Sequence, residues 1–192
     1  GMLIRSARAI EQARDLTMVA FDKTGTLTEG RMTVVTTTAV KGWDPDEVLA
    51  LAAAVEQNSE HPIGRAIAAA VARPAEATNV RARPGFGISG TVAGRKIDVG
   101  RPDSAPSGKF EDPPVEEGTT TVVVSVDDRP VGVVALADVV RPWAAEAVAA
   151  LRGLGLEVVM LTGDREAAAR RVSEAVGIDR VVSGLDPEGK RR

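Results

Sequence analysis

Near the start of the chain a short apolar run, Thr17-Met18-Val19-Ala20-Phe21, ends on an aspartate and is followed at once by Lys23-Thr24-Gly25-Thr26-Leu27-Thr28. A run of this length and composition, closed by a glycine-bearing stretch, reads as a buried strand with Asp22 at its C-terminal end. In open parallel α/β sheets that end is where ligands bind. An aspartate there, followed by hydroxyl side chains and the amides of a glycine-containing turn, sets a nucleophilic carboxylate beside anion-binding donors. That grouping suits attack on a phosphorus atom. The plain alternative is an Asp-Thr-Gly turn that merely caps a strand.

The last third of the chain repeats the strand-and-helix theme. Arg129 to Ala137 reads as a strand, and Pro142 to Arg152 as a helix with Pro142 at its first position and Ala144, Val148 and Leu151 on one face. Leu156 to Leu161 is a second strand, Arg165 to Val176 a second helix with Ala168, Val172 and Ala175 aligned, and Val181-Val182 opens a third strand. Such alternation implies a parallel, doubly wound sheet. Between these parts the pattern changes. Thr33 to Val40 and Thr119 to Val126 are rich in Thr and Val, and Gly90 to Val99 alternates around Ala93-Gly94 like a hairpin. Helices are expected from about Asp46 to Glu56, with Asp44 as N-cap, and from about Pro62 to Ala72. Residues 102–118, dense in Pro, Gly, Ser and acids, read as a mobile loop. The whole is an α/β domain with an antiparallel α+β domain inserted after its first strand.

Composition narrows the chemistry. The 192 residues are 44% hydrophobic and 27% charged, an ordinary globular balance. A net charge of −3 carries no footprint for nucleic acid or an anionic membrane surface. There is no cysteine and one histidine, so disulfides, thiolate nucleophiles and cysteine-ligated zinc are excluded, and carboxylates are left as metal ligands. Such ligands select a hard cation, magnesium first. The longest apolar stretch, Thr121 to Val140, is broken by Asp127, Asp128, Arg129, Pro130 and Asp138, so it does not read as a membrane span. A soluble, cytoplasmic chain is the default expectation.

The heptad Asp22 to Thr28 resembles, over all seven positions, the phosphorylation motif of the P-type ATPases, ion pumps of the haloacid dehalogenase superfamily. The resemblance implies that Asp22 becomes an aspartyl phosphate and that Thr24 helps hold magnesium and the phosphoryl group, with Asp22 and Thr24 as the metal ligands. Thr162-Gly163-Asp164, after the second strand, is similar to the family's second motif, in which Thr162 would hold the phosphoryl group and Asp164 would lie near the nucleotide phosphates. Its plain reading is a strand-to-helix cap. Asp138-Val139-Val140-Arg141-Pro142 resembles the family's Asp-x-x-Arg segment, which would place Asp138 and Arg141 near the nucleotide; a simple helix cap is the other reading. Lys190, in Pro187-Glu188-Gly189-Lys190, matches the lysine that neutralises the phosphoryl charge, unless it is simply solvated.

The inserted segment narrows the resemblance to the heavy-metal-transporting pumps. Ser59-Glu60-His61-Pro62, with Glu56 five residues before His61, is similar to their His-Pro signature, and Gly85-Phe86-Gly87 with Gly90 to their glycine segment. That implies Glu56 and His61 against an adenine, with Gly85 and Gly87 allowing close backbone approach to ATP. Otherwise His61 is an N-cap before Pro62 and the glycines form a turn.

On this resemblance the chain is a cytosolic loop of such a pump. Residues 1–33 and 128–192 would form a phosphorylation domain and 34–127 the nucleotide-binding domain, with ATP and magnesium as cofactors. The family's Gly-Asp-Gly-x-Asn-Asp motif and its membrane helices are not in the sequence, and Gly1 to Ala13 look like the exit from a preceding membrane helix. The expectation is therefore a C-terminally truncated sheet, with little ATP turnover and either self-association or loose folding of the phosphorylation half. Expected partners are ATP and the pump's own membrane helices and actuator domain, at the cytoplasmic face of the plasma membrane, with no nucleic acid. Export of a heavy-metal cation, copper by general likeness, would be the task. A stand-alone soluble phosphohydrolase of the same superfamily is the alternative, and a nucleotide-binding regulatory module without chemistry the third reading.

Overall fold

The strand expected at 17–21 runs Met18–Asp22 (β1) in a computed structural model, which describes residues 14–83, 85, 87–104 and 117–186. The chain divides into two compact units: Gly1–Gly30 with Val140–Arg192, and Arg31–Val139. The segments 1–13, 105–116 and 187–192 lie outside the described residues, so Lys190, the helix to Ala13 and most of the loop expected at 102–118 do too.

The first unit carries a parallel sheet of order β1-β8-β9, where β8 is Glu157–Leu161 and β9 is Arg180–Val182. Met18 pairs with Glu157 and Asp22 with Leu161, which brings the ends of β1 and β8 level. Helix α3 (Ala144–Gly153) precedes β8, and α4 (Glu166–Val176) joins it to β9. Ala144, Val148, Ala169, Val172 and Val176 pack on Val158 and Met160. Three expectations shift here. Pro142 is not the first helical residue: the Ala144 amide closes a tighter turn on the Arg141 carbonyl at 3.0 Å, and the first four-residue step is the Ala147 amide on the Trp143 carbonyl, also at 3.0 Å, so α3 begins at Ala144. The buried face of α4 is Ala169, Val172 and Val176, not Ala168 and Ala175, since Ala175 faces solvent. β1 is less buried than expected: Met18 is 41% exposed, because among the described residues β1 has a neighbouring strand on one side only.

The second unit is a six-stranded sheet of order β2-β7-β6-β5-β4-β3. Its strands are β2 (Thr28–Ala39), β3 (Thr78–Arg83), β4 (Gly87–Val92), β5 (Arg95–Gly100), β6 (Thr120–Val126) and β7 (Arg129–Val140). The β4–β5 hairpin turns through Ala93 and Gly94, both at positive φ as a two-residue hairpin of this twist requires. Helix α1 (Pro45–Glu56) is capped by Asp44, which accepts from the Asp46 amide at 2.8 Å, and α2 (Pro62–Ala69) ends three residues short of the expected Ala72. Val48, Ala52 and Val55 of α1 pack with Ile97, Val99, Val124 and Val134 of the sheet in one closed core. β7 does not belong with the parallel strands, where its sequence pattern places it; it pairs antiparallel with β6, from Thr120↔Leu136 to Val126↔Arg129. The division therefore falls at Val139/Val140 rather than before residue 128, and at Gly30/Arg31 rather than after residue 33.

Candidate functional site

In the first unit, Asp22 ends β1 half-buried, and the chain then makes one wide turn through Lys23–Leu27. The Thr28 amide closes that turn on the Lys23 carbonyl. The fully buried Thr28 hydroxyl donates to the same carbonyl at 3.1 Å and accepts from the Gly25 amide at 3.4 Å. Gly25 has φ +77°, a conformation glycine adopts without cost. Thr24 and Gly25 are left exposed in the turn that follows Asp22. Arg141 holds the turn from outside: its amide donates to Leu27 O at 2.9 Å, its Nε to Thr28 O at 3.1 Å and its Nη2 to Gly25 O at 3.3 Å. The residue expected near a nucleotide thus serves, in this structure, as a brace for the turn after Asp22.

Parallel pairing of β1 with β8 delivers the second motif to the same sheet end. Thr162 follows Leu161, the register partner of Asp22, and is almost wholly buried. Its amide donates to Val182 O at 2.9 Å and its carbonyl accepts from Leu185 N at 3.0 Å. The Thr162 hydroxyl accepts from the Asp164 amide at 3.1 Å, so a capping role is present as well. Asp164 in turn pairs with Lys23 Nζ; the lysine side chain is 6% exposed and the aspartate 42%. Sequence reading misses Lys23 and Thr28 as working parts, although both sit inside the heptad; the signal is the motif itself, read for its aspartate and first threonine only.

Among the described residues no group of three or more His, Asp or Glu side chains could hold a metal. The donor set at the turn, the Asp22 carboxylate with oxygens of Thr24, fits magnesium, which keeps several waters and takes one or two protein carboxylates plus substrate phosphate.

The second unit holds a cavity of about 280 Å³ lined by Glu56, Ser59, His61, Gly85, Gly87 and Arg101, among others. All four residues expected to meet an adenine nucleotide there, Glu56, His61, Gly85 and Gly87, are brought together. Glu56 ends α1 and is 7% exposed; burial pushes its carboxyl above the ordinary 4.5, only partly offset by a hydrogen bond from Ser59 and by the nearby His61. His61 is also the N-cap of α2, its Nδ1 accepting from the Ile63 amide at 3.2 Å. That bond fixes the ring, so cap and cavity wall are one arrangement. Gly87 has φ +140°, and a Cβ there would collide with the Val99 carbonyl and lie 2.6 Å from Gly100 Cα. Gly90 does not line the cavity; a Cβ on it would meet Val55 Cγ1 at 2.9 Å, so it seats α1 on the sheet. Arg83, paired with Asp98 at 2.6 Å, and Arg101 bring two guanidiniums to the cavity. Neither is foreseeable from the sequence, because only folding brings β3 and the end of β5 to α2. Asp138 lies half-buried near the end of β7 and is not among the cavity residues.

A parallel α/β sheet with an acid at the end of its first strand is the arrangement of the haloacid dehalogenase-like hydrolases. A family model of that description matches residues 16–192, and the chain belongs to this family. Within it, the relatives are heavy-metal pumps. Over 197 residues, 99% of the chain, it is 46% identical to a copper-exporting P-type ATPase of Mycobacterium tuberculosis, of which it covers 26%. A crystal structure of a zinc-transporting PIB-type ATPase superposes with a TM-score of 0.82 at 37% identity, covering 91% of this chain and 30% of that one. The catalytic domain of a CPx-ATPase, solved to follow its changes upon nucleotide binding, matches with a TM-score of 0.67 at 27% identity, covering 99% of this chain and 70% of that one. The chain thus corresponds to the catalytic loop of a heavy-metal P-type ATPase and spans about a quarter of the length of the curated relatives.

Proposed function

We propose that this chain is the ATP-binding and phosphorylation portion of a heavy-metal cation-transporting P-type ATPase, with ATP held in the cavity of the second unit and Asp22 of the first as phosphoryl acceptor. The observation that carries the reading is that one chain holds both the complete Asp22–Thr28 turn and a separate cavity built around Glu56 and His61. A phosphohydrolase of small esters has no use for the second.

The cavity lies near the lower end of ligand pockets, roughly 300–1,000 Å³. It has room for base and sugar, with the phosphates directed outward. The Glu56 carboxylate accepts from the exocyclic amine of adenine, the His61 ring lies against the base, and Gly85 and Gly87 admit the ligand close to the backbone. In the reaction an Asp22 oxygen attacks the γ-phosphorus, the bond to the bridging oxygen breaks, and ADP leaves. Water later cleaves the aspartyl phosphate, releasing phosphate and restoring Asp22. Thr162 and the amides of the turn hold the phosphoryl oxygens, and Lys190 is proposed to neutralise their charge. Magnesium held by Asp22 and Thr24 would supply charge neutralisation, the largest part of catalysis in such transfers. Asp138, Arg141 and Asp164 are assigned by family likeness to the nucleotide phosphates during the transfer step, with the base held by the cavity alone. Among the described residues no helix is long and apolar enough to cross a membrane. We assign the chain to the cytoplasmic face of the plasma membrane, coupled to the pump's membrane helices and actuator domain, with copper as the cation.

Calorimetric titration with ATP tests the cavity. Glu56→Ala and His61→Ala should each weaken binding about tenfold, the equivalent of one hydrogen bond to a charged or buried group. Gly87→Val should weaken it more, since the new side chain meets backbone. Unchanged affinity in all three variants rejects the site.

A further inference from the structure

The cavity's carboxylate is held in place by two residues that need not themselves touch the ligand. Ser59 lies in the short link between α1 and α2. Its amide donates to the Glu56 carbonyl at 2.8 Å, and its hydroxyl donates to the Glu56 carboxylate while accepting from the His61 amide at 3.3 Å. One hydroxyl therefore joins the end of α1 to the cap of α2. Gly64, in the first turn of α2, faces this junction. A Cβ on Gly64 would overlap Glu56 Oε2 and Ser59 Oγ and lie 2.5 Å from Ser59 Cβ, which has no freedom to swing aside. Here glycine is required by close approach, and its φ is ordinary.

We propose that Ser59 and Gly64 are positioning residues for the base end of the cavity: the Ser59 hydroxyl sets the Glu56 carboxylate, and the missing Cβ of Gly64 leaves the space in which it stands. This rests on the cavity being an adenine-nucleotide site. Among the described residues, three other charged or titratable groups line the cavity with Glu56. His61 comes from the cap of α2, Arg83 from β3 and Arg101 from the end of β5. Only the Ser59 hydrogen bond and, less strongly, the nearby His61 favour its ionised form against the pull of burial. Removing the Ser59 hydroxyl therefore moves Glu56 titration further up. A charged carboxylate is the stronger acceptor for the adenine amine, so the acid-side loss of ATP binding should begin at higher pH.

The test is ATP affinity of the full chain by calorimetry across a pH series, for wild type, Ser59→Ala, Gly64→Ala, Ser59→Gly and Ser59→Gly/Gly64→Ala, with melting curves on each. The expected results are three. Gly64→Ala weakens ATP binding about tenfold or more at neutral pH. The same change costs clearly less in the Ser59→Gly background, where the colliding Cβ and hydroxyl are gone. Ser59→Ala shifts the acid limb of the affinity profile to higher pH. Additive losses in the double variant, or an acid limb that stays put or moves down in Ser59→Ala, overturn the proposal. If Gly64→Ala fails to fold, the Ser59→Ala profile decides alone. Wild type that does not bind ATP rejects the nucleotide reading itself, whereas binding indifferent to these changes rejects only the positioning roles.

Discussion

Glu56 shows how a single residue is held against its own solvation. Its carboxyl titrates above the ordinary 4.5 because burial outweighs the help of Ser59 and His61. A carboxyl raised in the folded state adds stability in full below its unfolded value, and that stability is lost as pH rises through the folded one. Near neutrality the fold therefore carries the cost of a buried charge. Glu56→Gln keeps the shape and removes the charge. The variant should melt higher than wild type near pH 7, with the gap closing at about pH 4, where both side chains are neutral. ATP affinity should fall in the same variant, since a neutral amide oxygen is the weaker acceptor. Melting curves at the two pH values, with one ATP titration, check this; equal melting at both would mean that the buried charge costs the fold nothing.

At the scale of elements, the turns after β1 and β8 are joined by the pair Lys23–Asp164, and its two ends are unequal. Lys23 is buried and Asp164 is partly solvated. Removing Asp164 strips a buried ammonium of a carboxylate partner, whereas removing the lysine leaves an aspartate that water can serve. Asp164→Ala should therefore cost about 2 kcal/mol or more, while Lys23→Met, of similar length and apolar, should be near neutral in stability. Urea unfolding of both variants reads the difference, and equal losses would show that the burial of Lys23 is not what sets the cost. These turns are legible in the sequence because a heptad and a Thr-Gly-Asp triplet, each placed after an apolar run, carry their own position. Pairing partners are not. Arg129 to Ala137 reads as a strand in any sheet, and only the folded chain shows it beside β6, which moves a domain boundary from before residue 128 to Val139/Val140. The phase of α4 differs by one residue from its sequence reading because its alanines are too frequent to mark a face, and Ser173 is buried where an apolar residue is sought. In the cavity, Glu56, His61 and the glycines are legible as motif residues, but Ser59, Gly64, Arg83 and Arg101 acquire roles only through proximity.

At the scale of the whole molecule, each unit closes its own core. The cluster around Leu27, Val148, Met160 and Val172 draws only on residues of the first unit, and the cluster around Val48, Val55, Val99 and Leu136 only on 31–139. The second unit also begins on β2 and ends on β7, which are neighbours in its sheet, so its two ends emerge side by side. Such ends are what an inserted domain needs, because the host chain can be interrupted there without opening a gap. Every cavity residue named above, from Glu56 to Arg101, lies between those ends. Residues 31–139 alone should therefore fold cooperatively and bind ATP within about threefold of the full chain, well under the tenfold that 1.4 kcal/mol represents. ATP affinity of the full chain should likewise be unchanged by Asp22→Asn, since the two cores share no residue and every cavity residue belongs to the second unit. Circular dichroism and calorimetry on the excised unit, beside full-length Asp22→Asn, decide it. An unfolded unit, or one whose ATP affinity drops more than tenfold, would mean that the first unit supplies part of the nucleotide site, and that binding and phosphoryl acceptance are not separable along this chain.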